Sequence, residues 1–283
     1  MKRQRIEELI FRVLMRLAAV LVLSCLVLIV GTVVAKGLPA LSWDMLIRTP
    51  EQGYYLGRKG GMANAIVGSI VLTAGATLLA LALGLPVAIY LNTYAHPQSW
   101  LLRLVRLSLD VLWGVPSIVF GAFGFTLMMW LGVRASLLGG TIAVALLIVP
   151  IMTRGMDEAM QTVPLALREA SYCLGATRLE TALRVVVRQS LPGLISAALL
   201  AFGRGIGDAA CVIFTAGFSD HIPHSLLDPA ATLPLAIFFQ LNTPFPEVRA
   251  RAYASALILT ALVLAVSLGA RLAQRRSSKH RVQ

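Results

Sequence analysis

The stretch from Arg168 to Gly217 reads REASYCLGATRLETALRVVVRQSLPGLISAALLAFGRGIGDAACVIFTAG. It starts as a polar loop and ends as an apolar run interrupted by Arg204 and Asp208. A face able to grip a soluble partner is thus joined to a membrane segment that carries charge. That pairing suggests a transporter subunit driven from outside itself.

The rest of the chain agrees. Of 283 residues, 58% are hydrophobic and 13% charged, and the mean hydropathy is +0.80. A soluble domain cannot hide that much apolar surface, so the composition is that of a multi-span membrane protein. The net charge of +12 raises the question of nucleic acid. The basic residues, however, sit mostly between apolar runs, where the positive-inside rule accounts for them. Cys25 and Cys211 lie in apolar runs and Cys173 in a polar loop. No spacing among them suggests a disulfide framework or a zinc site, and all three read as small apolar filler.

Six spans are expected, over 15–36, 63–91, 105–132, 136–153, 191–217 and 251–272. Each reaches, or nearly reaches, the length that crosses about 30 Å of hydrocarbon. Lys2, Arg3 and Arg5 precede the first. Its run from Leu17 to Ala35 is too long for a signal-peptide core and reads as an uncleaved helix. Of the 25 Lys and Arg residues, 17 fall in the N-terminus, the 92–106 region, the 154–190 loop and the C-terminus. These segments are expected in the cytoplasm. The expected organisation is a cytoplasmic N-terminus (1–14), a transmembrane domain (15–272) with a cytoplasmic loop at 154–190, and a basic tail (273–283). The tail, Arg275 to Arg281, reads as a solvated anchor that can touch anionic membrane lipid. Trp43, Tyr54, Tyr55 and Trp130 read as interfacial aromatics, with partner docking as the alternative. Gly84-Leu85-Pro86, Gly114-Val115-Pro116 and Val149-Pro150 mark either kinks or close packing within spans.

The 154–190 loop reads as two short helices. Pro164 suits the first turn of a helix, where its missing N–H costs nothing. Gly175 suits the left-handed position that ends it. Thr177 and Glu180 form a capping box for the next helix. Leu165, Leu167, Tyr172 and Leu174 would stay partly wet on a free hairpin, and a helix-in-groove contact would cover them.

Glu169-Ala170-Ser171-x-x-x-Gly175 resembles the Glu-Ala-Ala-x-x-x-Gly signature of permease subunits of ATP-binding-cassette importers. The resemblance implies the type I importer-permease fold, all-α with six transmembrane helices. It also implies that this hairpin is the coupling helix that seats in a cleft of a separate ATPase, with Arg168, Glu169, Ala170 and Gly175 serving coupling. For Arg168 a salt bridge to the ATPase or to Glu169 is the plainer reading. The chain has no Gly-x-x-x-x-Gly-Lys-Ser/Thr loop, so ATP would be hydrolysed by a partner and no cofactor bound here. The family's closing Ile-x-Leu-Pro is replaced by Val185-Val186-Val187-Arg188, so the exit from the hairpin is expected to have its own shape.

On the expected 191–217 span, Arg204 stands about 20 Å from either end, too far for its side chain to snorkel to water. A charge at that depth costs at least ~2.5 kcal/mol on insertion scales, so it must face protein, water or a ligand. Asp208, four residues on, shares the helix face, and Cys211 and Thr215 extend the stripe. Two readings coexist: an ion pair that locks two helices, or a station for an anion at which Arg204 supplies charge and planar donors. Asp110, at the start of the third span, reads as a capping or interfacial acid.

Gly203-Arg204-Gly205-Ile206-Gly207-Asp208 resembles the Arg-Ala-x-Gly-Glu signature of phosphate importer permeases, with Asp for Glu. Val115-Pro116-Ser117-Ile118-Val119-Phe120-Gly121, Phe214-Thr215-Ala216-Gly217 and Pro229-Ala230-Ala231-Thr232-Leu233-Pro234 are also similar to segments of the PstA-type subunit. The resemblance implies a non-catalytic permease in a bacterial inner membrane with both termini inside. Its implied partners are a homologous permease (PstC type), two ATPase subunits (PstB type) and an external phosphate-binding protein (PstS type). It further implies a phosphate pathway through Arg204 and Asp208. Another oxyanion, molybdate or sulfate, is the nearest alternative cargo, and a passive channel or scaffold the distant one. A membrane enzyme finds no support, because the spans hold no His cluster or nucleophile–base pair.

Overall fold

The computed structural model describes residues 2–50, 60–96 and 98–277, with side chains described over 7–50, 60–96 and 98–272. Tyr54 and Tyr55, the side chains of Lys2, Arg3 and Arg5, and the basic tail side chains from Arg275 onward lie outside the described residues. Among the described residues the regular structure is helical, apart from one isolated bridge between Pro50 and Gly60. The helices are α1 (Lys2–Gly37), α2 (Trp43–Ile47), α3 (Ala63–Thr93), α4 (Trp100–Trp113), α5 (Ser117–Trp130) and α6 (Leu137–Gln161). They continue as α7 (Leu165–Cys173), α8 (Arg178–Thr181), α9 (Val187–Ile206), α10 (Val212–Thr215), α11 (Leu233–Leu241) and α12 (Pro246–Ser277). Five segments are long and apolar enough to cross a membrane, and the bent pair α4–α5 makes a sixth. This is the expected all-α, six-span architecture.

Small residues decide how the bundle closes. Ala76, Ala80 and Ala88 of α3 pack with Val144, Ile148, Met152 and Met156 of α6 and with Ala197 and Ala201 of α9. Alanine faces let backbones approach, which is how helices associate where lipid removes the hydrophobic drive. A second cluster joins Met45 and Met62 to Ala231, Leu233 and Ala236 and to Ala254 of α12. The first span stands apart: its apolar stretch is exposed along its length. It is held at its end, where the Lys36 ammonium lies 5.0 Å above the Tyr253 ring and Gly37 meets the Tyr253 backbone.

Three spans depart from expectation. The third is two helices at 99° to one another, because Pro116 cannot continue α4 and instead opens α5. Pro86 and Pro150 leave α3 and α6 unbroken. The fourth runs on to Gln161 rather than ending at 153, so Arg154 and Asp157 belong to a helix and not to the loop. The fifth stops as a helix at Ile206 and resumes as one turn, Val212–Thr215. Apolar residues continue on both sides of Arg204 and Asp208, but Gly205 and Gly207 lower helix propensity. Arg204 is therefore in the last turn of α9, not at the middle of a continuous helix, where a cation also meets the negative end of the helix dipole.

Candidate functional site

The break after α9 carries the charge. Arg204 Nη1 donates to Asp208 Oδ2 at 2.5 Å, with the Arg204 side chain 42% exposed and that of Asp208 3% exposed. The other Asp208 oxygen accepts the Cys211 N–H at 2.7 Å and so begins the next helical turn. The pair spans one segment of chain and fixes the geometry of the break. It does not lock one helix to another. Asp208 is the only partner of Arg204 among the described residues, so Nε and Nη2 keep their donors. Nothing lies within 4 Å of where a Gly203 side chain would start, and only the Gly203 carbonyl approaches that of Gly207. Arg204 thus emerges on an open, glycine-flanked surface. Irregular backbone at membrane depth is tolerated where it lines protein or water, and here it presents a planar cation suited to an oxyanion.

Thr215 is placed differently. It is fully buried, its hydroxyl donates to the Cys211 carbonyl at 3.0 Å, and its own carbonyl accepts the Ser136 N–H. The stripe expected from Arg204 to Thr215 turns inward after Arg204, since Asp208, Cys211 and Thr215 are all buried. Gly121 of α5 packs on this break: a side chain there would start 2.8 Å from the Cys211 carbonyl oxygen and 2.9 Å from that of Ala210. Gly121→Ala is therefore expected to cost about 1–3 kcal/mol by overpacking. It should lower the thermal unfolding midpoint in detergent. Gly31→Ala, with nothing within 4 Å, should leave the midpoint unchanged or raised.

The hairpin forms as its local chemistry dictates. Pro164 precedes α7, and Gly175 ends it with φ +82°. Glu180 N–H donates to Thr177 Oγ1 at 3.3 Å and Thr177 N–H donates to Glu180 Oε2 at 3.0 Å. The Thr177 N–H, and after it the Thr177 hydroxyl, hold the Glu180 carboxyl below its ordinary pKa. A π-helical turn, Ala182–Val186, then leads into α9, where the family's proline is missing. Glu169, Ala170 and Gly175 are exposed, as are Leu165 and, at 89%, Leu174. Arg168 is different. It makes no bond to Glu169 but donates from Nη1 to the Asn92 carbonyl at 2.9 Å and from Nη2 to the Met160 carbonyl at 2.8 Å.

A third constellation lies behind the hairpin, and sequence reasoning missed it. Asp157 is fully buried and accepts bonds from Asn92 Nδ2, Arg106 Nε and Nη2, Arg154 Nη1 and Gln161 Nε2, all at 2.8–3.0 Å. Arg154 Nε also pairs with Asp110 Oδ1 at 2.9 Å, which places the expected interfacial acid of α4 in the same cluster. Breaking such a buried pair by removing one partner typically costs about 3–5 kcal/mol. The one sequence signal was Arg154, Asp157 and Gln161 at i, i+3 and i+7, a helical face; reading the segment as loop hid it.

A helical membrane bundle with an exposed two-helix hairpin and a charged break in one span is the arrangement expected of the transmembrane component of an importer. The chain belongs to the family of binding-protein-dependent transport system inner membrane components, which matches residues 80–279. Among curated relatives, the phosphate transport system permease protein PstA of Xylella fastidiosa (strain Temecula1) is 34% identical over 90% of this chain and 91% of its own. That of Yersinia pestis is 35% identical over 87% and 82%, and PstA 1 of Mycobacterium tuberculosis 33% over 95% and 88%. Among solved structures, an inward-facing conformation of the MetNI methionine ABC transporter aligns over 76% of this chain and 95% of that one. Its TM-score is 0.62 at 18% identity, a likeness of fold.

Proposed function

We propose that this chain is a transmembrane subunit of an ATP-driven inorganic phosphate importer, forming part of the pathway and coupling it to a separate ATPase. The observation that carries the reading is Arg204. Its guanidinium is half-exposed at a break in a span, keeps free donors, and is held by a buried acid, within a chain whose curated relatives are named for phosphate transport. The chain itself is non-catalytic and binds no cofactor. It assembles with a homologous permease, two ATPase subunits and an external phosphate-binding protein. It lies in a bacterial inner membrane with both termini in the cytoplasm, where Arg12, Arg16 and the hairpin arginines would also lie.

Transport follows alternating access. Closure of the ATPase dimer moves the 164–188 hairpin and opens the pathway outward. Phosphate released there passes Arg204 on its way to the cytoplasm. A ligand shifts such an equilibrium only by its differential affinity for the two states, so the pathway site binds phosphate weakly and the external protein does the capturing. Arg168, Glu169, Ala170 and Gly175 serve the coupling hairpin. Arg204 and Asp208 serve the pathway, with Thr215 supporting the break from behind.

The test is labelled phosphate uptake into vesicles holding the assembled transporter, with and without ATP and with excess sulfate or molybdate. ATP-dependent uptake that resists both competitors is the expected result. Uptake blocked by one competitor reassigns the cargo, and uptake indifferent to ATP removes the coupled mechanism.

A further inference from the structure

Helix α7 has no buried residue. A helix so lightly packed can move the bundle only through the few groups that tie it down. Its hydroxyl contact, Ser171 to Thr181 at 2.9 Å, stays within the hairpin. Leu167 adds a partly buried apolar contact. The polar tie to the spans is Arg168. Asn92 stands one residue before the end of α3 and Met160 one residue before the end of α6. Carbonyls in a last helical turn lack intrahelical partners and carry the negative end of the dipole. One planar guanidinium therefore caps two helices at once, at 2.9 and 2.8 Å. No carboxylate pairs with it among the described residues.

What this cap delivers depends on how stiffly its two anchors are held. Asn92 is shared: its carbonyl receives Arg168 while its side chain donates to Asp157 Oδ1 at 2.8 Å. Asp157 stands one turn before Met160–Gln161 on α6, and Gln161 also donates to it at 2.9 Å. Arg106 closes the set from α4 with two bonds at 2.9 Å. The carboxylate thus joins the last turns of α3 and α6 to the middle of α4, around the two carbonyls that Arg168 grips.

We propose that Asp157 is a positioning residue for energy coupling: its carboxylate makes α3, α4 and α6 one block, so that Arg168 passes a displacement of α7 to that block instead of losing it in local rearrangement. The inference rests on the reading of the chain as an ATP-driven permease. It adds a residue outside the hairpin signature and gives Arg168 a partner within its own chain.

The experiment measures ATP hydrolysed and phosphate taken up in the same proteoliposomes holding the full transporter, normalised to assembled complex. Asp157→Asn and Arg168→Lys are expected to raise ATP consumed per phosphate about fivefold or more, the low end of ordinary coupling effects. Lysine keeps the charge but cannot fork between two carbonyls. If Asp157→Asn does not assemble, Asn92→Ala and Arg106→Lys carry the test, since both leave the carboxylate opposite a cation. Their ratio should rise in the same direction. A purely structural role lowers yield and thermal midpoint but leaves the ratio at the wild-type value. That result in assembled variants overturns the proposal. A wild-type complex that hydrolyses ATP without taking up phosphate overturns instead the functional reading on which it rests.

Discussion

Replacing Arg204 with glutamine is expected to lower phosphate uptake about 10- to 100-fold, the size of one lost charge-assisted hydrogen bond of about 1.5–3 kcal/mol. The single variant also leaves Asp208 buried with the Cys211 N–H as its remaining described partner, and an unpaired buried carboxylate is costly. The neutral double variant, Arg204→Gln with Asp208→Asn, separates the two effects. It should regain whatever assembly the single variant loses, because no buried charge is left alone. Uptake should stay low, because no cation remains on the exposed side of the break. Normal uptake by the double variant would show that the pair only shapes the chain. Arg204→Lys is the intermediate case, keeping the charge but losing the planar donors.

The second large effect concerns the hairpin. Glu169 is exposed and makes no hydrogen bond or ion pair among the described residues, so Glu169→Ala should change the stability of the chain by no more than about 0.5 kcal/mol. Any loss of coupled transport must then arise in contact with another subunit. Gly175 isolates the other element. Nothing lies within 4 Å of its missing side chain, yet its φ is +82°. Gly175→Val therefore costs about 1–2 kcal/mol through backbone conformation rather than crowding. It should tilt the end of α7, which carries the 89%-exposed Leu174. Both variants should reach the membrane at normal levels and hydrolyse ATP without matching uptake. Wild-type coupling in the pair would remove the hairpin's assigned role.

Local chemistry was legible in the sequence where one residue determines one backbone event. Pro164, Gly175 and the Thr177–Glu180 box each act within a single turn, and each appears where the residues demand it. The spans were legible as apolar runs, but apolarity measures depth in a membrane and says little about whether a helix continues. It is as high at Val212 as at Leu199, so the end of α9 at Ile206 did not show. The 99° turn at Pro116 likewise read as one more proline in a span, like Pro86, because a proline in an apolar run does not by itself say whether its helix kinks or stops. Asp157 was hidden for a different reason. Its partners Arg106 and Asn92 are 51 and 65 residues away in sequence, and no periodicity within one segment reports a pairing at that range.

The bend before α5 has an electrical consequence. Fourteen residues of helix rise about 21 Å, against about 30 Å of hydrocarbon. In the orientation proposed above, with the turn near Arg134 outside, α5 stops short of the inner boundary, and the irregular backbone at Gly114–Pro116 has to be lined by protein or water at that depth. Where water fills the gap, cytosol extends inward and the membrane voltage falls across a thinner insulating layer. A voltage of 100 mV opposes an entering monovalent anion by about 2.3 kcal/mol, more for a divalent one. The same work is then done over a shorter path and against a steeper field. A fixed cation in that layer lowers the barrier where the field is strongest.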